Sequence, residues 1–228
     1  MNDLDDLQIT GMIGYRSIWH GIDSPDACED LDHFRQYPHT VLYRYNSRGF
    51  RDQEWPDDLA TAVWCLGDSF TVGLGSPVSH TWPQQLALLS QRRVINISMN
   101  GASNQWIHRR ALQIIDAVQP TNMVIMWSYL HRREDANTEL TDEERRIYNE
   151  PSTDQQDLQM LCDQINSFNA TGTNILHTAV PFFAPYEMIV PPELNILTVE
   201  KLDLARDGLH FDIKTSSWLA NQLAPRLV

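Results

Sequence analysis

The sequence predicts an α/β fold: a parallel sheet covered by helices on both faces. Two observations carry this. From residue 61 onward, short apolar runs of strand length alternate with longer segments of helical periodicity. The runs are apolar at consecutive positions, as strands buried on both faces require. The length of 228 residues suits one sizeable domain with a real core and is short for two.

Residues 1–60 have weak periodicity and are rich in Asp, Pro and aromatics. They read as an N-terminal extension packed on a main domain of residues 61–228. Within the extension, Val41–Tyr45 alternates enough for an edge strand or hairpin arm. Asn46-Ser47-Arg48-Gly49 then reads as a turn in which Gly49 is free to take a positive φ. In the main domain Ala62–Leu66 is the first buried strand and ends in Gly67-Asp68-Ser69. Trp82–Gln91 is a helix with Thr81 as its N-cap and Pro83 in the first turn. Val94–Ser98 is the second strand. Asn104–Val118 is a helix with Ile107, Ala111, Ile114, Ile115 and Val118 on one face. Met123–Trp127 is the third strand. Thr141-Asp142-Glu143-Glu144 has the form of a capping box and predicts a helix start. Asp154–Asn169 is a helix with Leu158, Leu161, Cys162 and Ile165 inward. Asn174–Val180 and Leu194–Val199 are the fourth and fifth strands, and Thr215–Leu227 is the closing helix.

Composition excludes several functions. A formal charge of −13 argues against nucleic acid or an anionic membrane as partner. Four Arg pairs occur: Arg92-Arg93, Arg109-Arg110, Arg132-Arg133 and Arg145-Arg146. All but Arg132-Arg133 read as solvated helix ends and salt bridges. No apolar run approaches the roughly 20 residues that span a bilayer. The N-terminal stretch lacks the basic and apolar regions of a secretory signal. Cys28, Cys65 and Cys162 are odd in number and widely spaced, which fits a reducing compartment and a cytoplasmic location. Histidine spacing offers no metal motif, and no P-loop or dinucleotide fingerprint occurs, so neither metal nor cofactor is expected.

Three motifs carry chemistry. Gly67-Asp68-Ser69-Phe70-Thr71 follows the first strand and presents one hydroxyl at a sheet edge. Asn96-Ile97-Ser98-Met99-Asn100-Gly101 runs from the second strand into a turn. Asp207-Gly208-Leu209-His210 lies in a late loop. In this order they resemble blocks of the GDSL, or SGNH, hydrolase family, and they span residues 63–212. Asn46–Asp52 also resembles a leader segment found before the first block in many bacterial and phage members. The resemblance implies a flavodoxin-like, three-layer α/β/α fold with a five-stranded parallel sheet. It further implies Ser69 as nucleophile, His210 as base, Asp207 as its carboxylate partner, and the N–H groups of Ser69 and Gly101 as oxyanion donors.

Elementary chemistry agrees with that assignment. A serine hydroxyl attacks only when a base takes its proton, and an imidazole does so best when a carboxylate fixes its tautomer. A three-residue separation lets Asp207 and His210 share one loop turn. Gly101 has no Cβ to block approach to its N–H. Asp68 reads as a holder of the turn, and His80 and His108 as structural or exposed residues.

The third block departs from the family pattern. Where the family carries an oxyanion-binding asparagine, this chain reads Ser128-Tyr129-Leu130-His131-Arg132-Arg133. His131 is the replacement donor on one reading, with Tyr129 and Arg132 as alternatives. On another, activity is weak or lost and the cleft only binds. The expected function is a serine esterase acting on short acyl esters, by resemblance often O-acetyl groups on carbohydrate. An O-acyltransferase with the same triad and a non-catalytic carbohydrate-binding scaffold are the rival readings. The expected partner is a small-molecule or carbohydrate ester.

Overall fold

The computed structural model of the chain describes residues 4–148, 155–181 and 194–228. In the N-terminal region β1 (Arg16–Ser17) pairs antiparallel with β2 (Tyr43–Arg44). Between them lies α1 (Leu31–Gln36), capped by Asp30, whose side chain accepts the N–H of His33 at 2.9 Å. Then follow β3 (Val63–Gly67), α2 (Ser69–Val72), α3 (Trp82–Ser90), β4 (Val94–Ser98), α4 (Asn104–Val118) and β5 (Asn122–Trp127). A small antiparallel pair, β6 (Arg132–Glu134) and β7 (Arg146–Tyr148), precedes α5 (Gln155–Asn166). The chain continues through β8 (Asn174–Ala179), β9 (Leu197–Thr198) and α6 (Ile213–Leu223).

Five strands form one parallel sheet in the order β4-β3-β5-β8-β9. This is the flavodoxin-like order, in which ligands sit beyond the C-terminal strand ends where the winding reverses, here between β3 and β5. Alternate residues of each central strand enter different cores. Trp64 and Leu66 of β3, and Met123, Ile125 and Trp127 of β5, pack with Ile107, Ala111 and Ile114 of α4 and Leu161 of α5. Val63 and Cys65, with Val124 and Met126, pack on Trp82 and Leu86 of α3 and on Leu219 and Leu223 of α6. The result is three layers. Both faces of β3, β4 and β5 are covered, so their runs are apolar throughout. Each large apolar side chain buried this way contributes about 1.5–3 kcal/mol.

Leu7, Ile9 and Phe50 belong to the first of these cores. Gly49 has φ +78°, and a Cβ there would lie 2.1 Å from the carbonyl oxygen of Ile9, so the turn admits only glycine.

Several elements differ from the sequence prediction. Thr141–Glu144 forms a turn, not a helix start. The capping-box bonds are present, with Glu144 Oε2 accepting from the N–H and hydroxyl of Thr141, each at 2.8 Å. The chain then leaves as β7, because Arg146 is held by the carbonyl of Asn100 and pairs opposite Glu134. Thr81 occupies the N-cap of α3, but its hydroxyl donates to the carbonyl of Val78 at 2.9 Å and caps nothing. The closing helix ends at Leu223, and Pro225 continues it only as a 3-10 turn. The predicted helix start at Asp154 lies outside the described residues. Among the described residues no helix is long and apolar enough to cross a membrane.

Candidate active site

The site is built where β3, β4 and β5 end. Gly67, the last residue of β3, lies so close to Thr71 that a Cβ would sit 2.1 Å from its hydroxyl oxygen. Asp68 caps α2 by accepting the N–H of Phe70 at 3.0 Å. The same carboxylate accepts the Ser128 hydroxyl at 2.7 Å and pairs with Arg132. Asp68 therefore ties the turn before Ser69 to the loop after β5. Ser69 opens α2. As the first helical residue it has no intrahelical acceptor for its N–H.

From the other end of the chain comes the loop before α6. His210 Nε2 lies 2.8 Å from Ser69 Oγ, and His210 Nδ1 lies 2.6 Å from Asp207 Oδ2. The second oxygen of Asp207 accepts the N–H groups of Leu209 and His210, both at 3.0 Å. One carboxylate thus holds both its own loop turn and the imidazole. Gly208 between them takes φ +71°. Burial pushes the Asp207 carboxyl up, but the adjacent His210 and these hydrogen bonds outweigh it, and the group stays below the usual carboxylate range. Phe70 packs against His210 with ring centroids 4.5 Å apart. All three polar side chains are buried: Ser69 is 3 % exposed, His210 2 % and Asp207 4 %.

Gly101 lies in the turn after β4 with φ +76°. This turn is anchored beside the serine, since the N–H of Met99 donates to the carbonyl of Gly67 at 3.3 Å. The next helix, α4, is capped by Ser103, which accepts the N–H of Trp106 at 3.1 Å. Its positive end faces the turn.

The third block is held by Asn104. Its side-chain amide donates to the carbonyl of Ser128 at 3.1 Å and accepts the N–H of Ser128 at 2.7 Å. Arg132 is committed to Asp68 and the Ser128 hydroxyl, and it stacks over Tyr129 with its guanidinium carbon 4.9 Å from the ring centroid. His131 packs on Tyr129 with centroids 5.5 Å apart. Burial, then the charges of Arg132 and Arg133, push its pKa down, so its ring is neutral at pH 7. His131 lies in the loop after β5, which Asp68 ties to the turn before Ser69. His80 contacts Asp212, and His108 Nε2 lies 2.8 Å from the Ser167 hydroxyl.

The salt bridges expected of the Arg pairs are present, but the pairs are not all solvated. Arg110 is buried and pairs with Asp142, Arg93 with Asp52, and Arg133 with Asp157. No disulfide joins Cys28, Cys65 and Cys162 to one another, and burial pushes the Cys65 thiol up.

Sequence reasoning missed the braces behind the site. Buried Arg51 donates to the carbonyls of Val72 at 3.1 Å, Gly73 at 2.5 Å and Ser76 at 2.8 Å, in the loop after Ser69. Asp23 receives Arg206 Nε at 2.8 Å and Nη2 at 2.6 Å, next to Asp207. Tyr43 joins the two loops: its hydroxyl donates to Asp23 at 2.6 Å and accepts the N–H of Gly75 at 2.8 Å. Gly75 accepts the N–H of Arg206 at 2.9 Å, and a Cβ on it would lie 3.0 Å from the Asp207 carboxyl carbon. The resemblance at Asn46–Asp52 points toward Arg51, but no local pattern marks Asp23, Tyr43 or Arg206.

No family model matches the sequence, and no curated protein matches it. Solved structures do. A protein from Desulfitobacterium hafniense DCB-2 assigned to the G-D-S-L lipolytic family superposes with TM-score 0.51 at 16% identity, over 73% of this chain and 99% of that one. A family two carbohydrate esterase from Clostridium thermocellum, solved with cellohexaose, superposes with TM-score 0.51 at 13% identity, over 76% of this chain and 65% of that one. An acetyl xylan esterase from the rumen bacterium Butyrivibrio proteoclasticus gives TM-score 0.50 at 11% identity, over 77% of this chain and 64% of that one. The parallel sheet, its strand order and these superpositions together establish that the chain has the three-layer fold of the SGNH, or GDSL, hydrolases.

Proposed function

We propose that the chain is a serine ester hydrolase and that its substrates are short acyl esters, O-acetyl groups on carbohydrate foremost. The observation that carries this reading is the continuous hydrogen-bonded line from Ser69 Oγ through His210 to Asp207. Ser69 Oγ attacks the ester carbonyl as its proton passes to His210 Nε2. Asp207 holds Nδ1–H and steadies the imidazolium. The tetrahedral oxyanion is met by the N–H groups of Ser69 and Gly101. His131 adds a ring N–H; being neutral, it donates without carrying charge into the site. The imidazolium then gives its proton to the departing alcohol. Water, deprotonated by the same histidine, cleaves the acyl-enzyme and restores Ser69.

Two features support small acyl groups on a carbohydrate. The nucleophile is nearly buried, and two proteins that share the fold are a carbohydrate esterase and an acetyl xylan esterase. The test is hydrolysis of p-nitrophenyl acetate by wild type and Ser69→Ala. The variant is expected to lose activity by about 10³-fold or more; equal rates would overturn the proposal. His131→Ala is expected to lower kcat by about 10²–10³-fold, as loss of one oxyanion donor does, with the melting temperature unchanged. Unchanged turnover removes His131 from the mechanism.

A further inference from the structure

Outside the candidate active site, one side-chain cluster has the composition of a transition-metal site. His39, His80 and Asp212 each present a ligand atom, and these atoms lie within 4.8 Å of one another. They come from three parts of the chain: the N-terminal extension, the turn before α3, and the segment between His210 and α6. Asp212 is buried and His39 exposed, so the cluster has a fixed floor and an open side.

The carboxylate is oriented for this cluster. Asp212 holds the N-cap position of α6, where an aspartate ordinarily accepts a helix N–H. It makes no such side-chain bond. Its Oδ1 lies 2.7 Å from His80 Nδ1 and accepts the Ser76 hydroxyl at 3.1 Å, while Oδ2 accepts the Tyr37 hydroxyl at 2.6 Å. Outer donors that fix a carboxylate in this way are the usual support of a bound metal. The His39 ring stands edge-on to that of His80, with centroids 4.7 Å apart. A cavity of about 540 Å³, lined in part by Thr40, Val78 and Ser79, opens beside the chain positions of both histidines.

Two imidazoles and one carboxylate suit a borderline divalent ion such as zinc; magnesium and calcium prefer oxygen donors. We propose that His39, His80 and Asp212 bind one zinc-class divalent ion, which ties the segment carrying His210 to the N-terminal extension. Zinc bonds of about 2.0–2.1 Å place tetrahedral neighbours about 3.4 Å apart, so the 2.7 Å contact between His80 and Asp212 opens slightly as the ion enters, and the exposed His39 ring is free to adjust to it. In the neutral tautomer that donates Nδ1–H to Asp212, the ion replaces this proton. The proton moves to Nε2 of the same ring. Water completes the fourth position.

The test is zinc titration of the untagged protein at pH 7.5, read by competition with a chromophoric chelator and by Tm, with magnesium as control. Wild type is expected to bind one equivalent. Its Tm should rise by about 5–10 °C at free zinc 100-fold above Kd. His39→Ala, at an exposed position, and His80→Ala should each bind at least about tenfold more weakly and lose about half of the Tm rise or more at the same free zinc. No zinc bound by wild type, or wild-type binding by both variants, overturns the proposal. Ser69→Ala should bind zinc as wild type does, so the result stands apart from any hydrolase activity.

Discussion

Two histidines outside the line from Ser69 to Asp207 help set how the protein responds to acid. His177 of β8 lies against Trp127 and Phe168, with ring centroids 5.9 and 6.1 Å away, and its Nδ1 accepts the Trp127 indole N–H at 3.3 Å. Burial pushes its pKa from 6.5 down to about 4. His20 is pushed to about 4 as well, by burial and then by Arg51 and Arg146. Both are neutral at pH 7 in the folded and unfolded chain, so their full stability is present there. Below pH 6.5 the unfolded chain takes up protons that the folded chain refuses, until the folded groups titrate near pH 4. Stability should therefore fall by up to about 1.4 kcal/mol per pH unit for each histidine across that window. Urea unfolding at pH 7 and pH 5 measures this fall. His177→Phe should diminish it, and an undiminished fall would remove His177 from the account. Ser69 and His210 are legible from sequence as candidates because their motifs are local. Asn104 as the clamp on Ser128 is not, since nothing in a helix-start asparagine says which carbonyl it will meet.

At the scale of elements, the N-terminal extension acts as a brace. Asp23, Tyr43 and Arg51 reach from it to the loop behind Ser69 and the loop that carries Asp207. Asp23 and Arg206 form a buried pair, and removing one partner leaves the other charged and unmatched. Asp23→Ala is expected to cost about 3–5 kcal/mol, read as a lower urea midpoint. Asp23→Ala combined with Arg206→Met should recover part of that loss; a midpoint unchanged in the single variant would deny the pair its role. The central strands are readable from sequence because burial on both faces makes them continuous apolar runs. The Thr141 segment misleads because its capping-box bonds do form. What ends it is Arg146, drawn to Asn100 and to a position opposite Glu134, which are tertiary contacts that no local window contains.

At the scale of the molecule, the extension and the sheet share one core, in which Leu7, Ile9 and Phe50 pack with the inner residues of β3, β4 and β5. The topology follows from the alternation of strands and helices. The pairing of Asp23 with Arg206 does not, because 183 residues separate the two and only the closed fold brings them together. The bond between Ser69 and His210 has a consequence of the same kind, since it spans 141 residues. Contacts that close long loops form after local ones in folding. In a refolding experiment, the proposed ester turnover should therefore return later than helical circular dichroism, and it should return in step with the burial of Trp64 and Trp127 at the sheet's centre. Activity that reappeared with the first helices would contradict this. Turnover returning on that late schedule would make the site a clock, striking only when β3 and the loop before α6 have found each other.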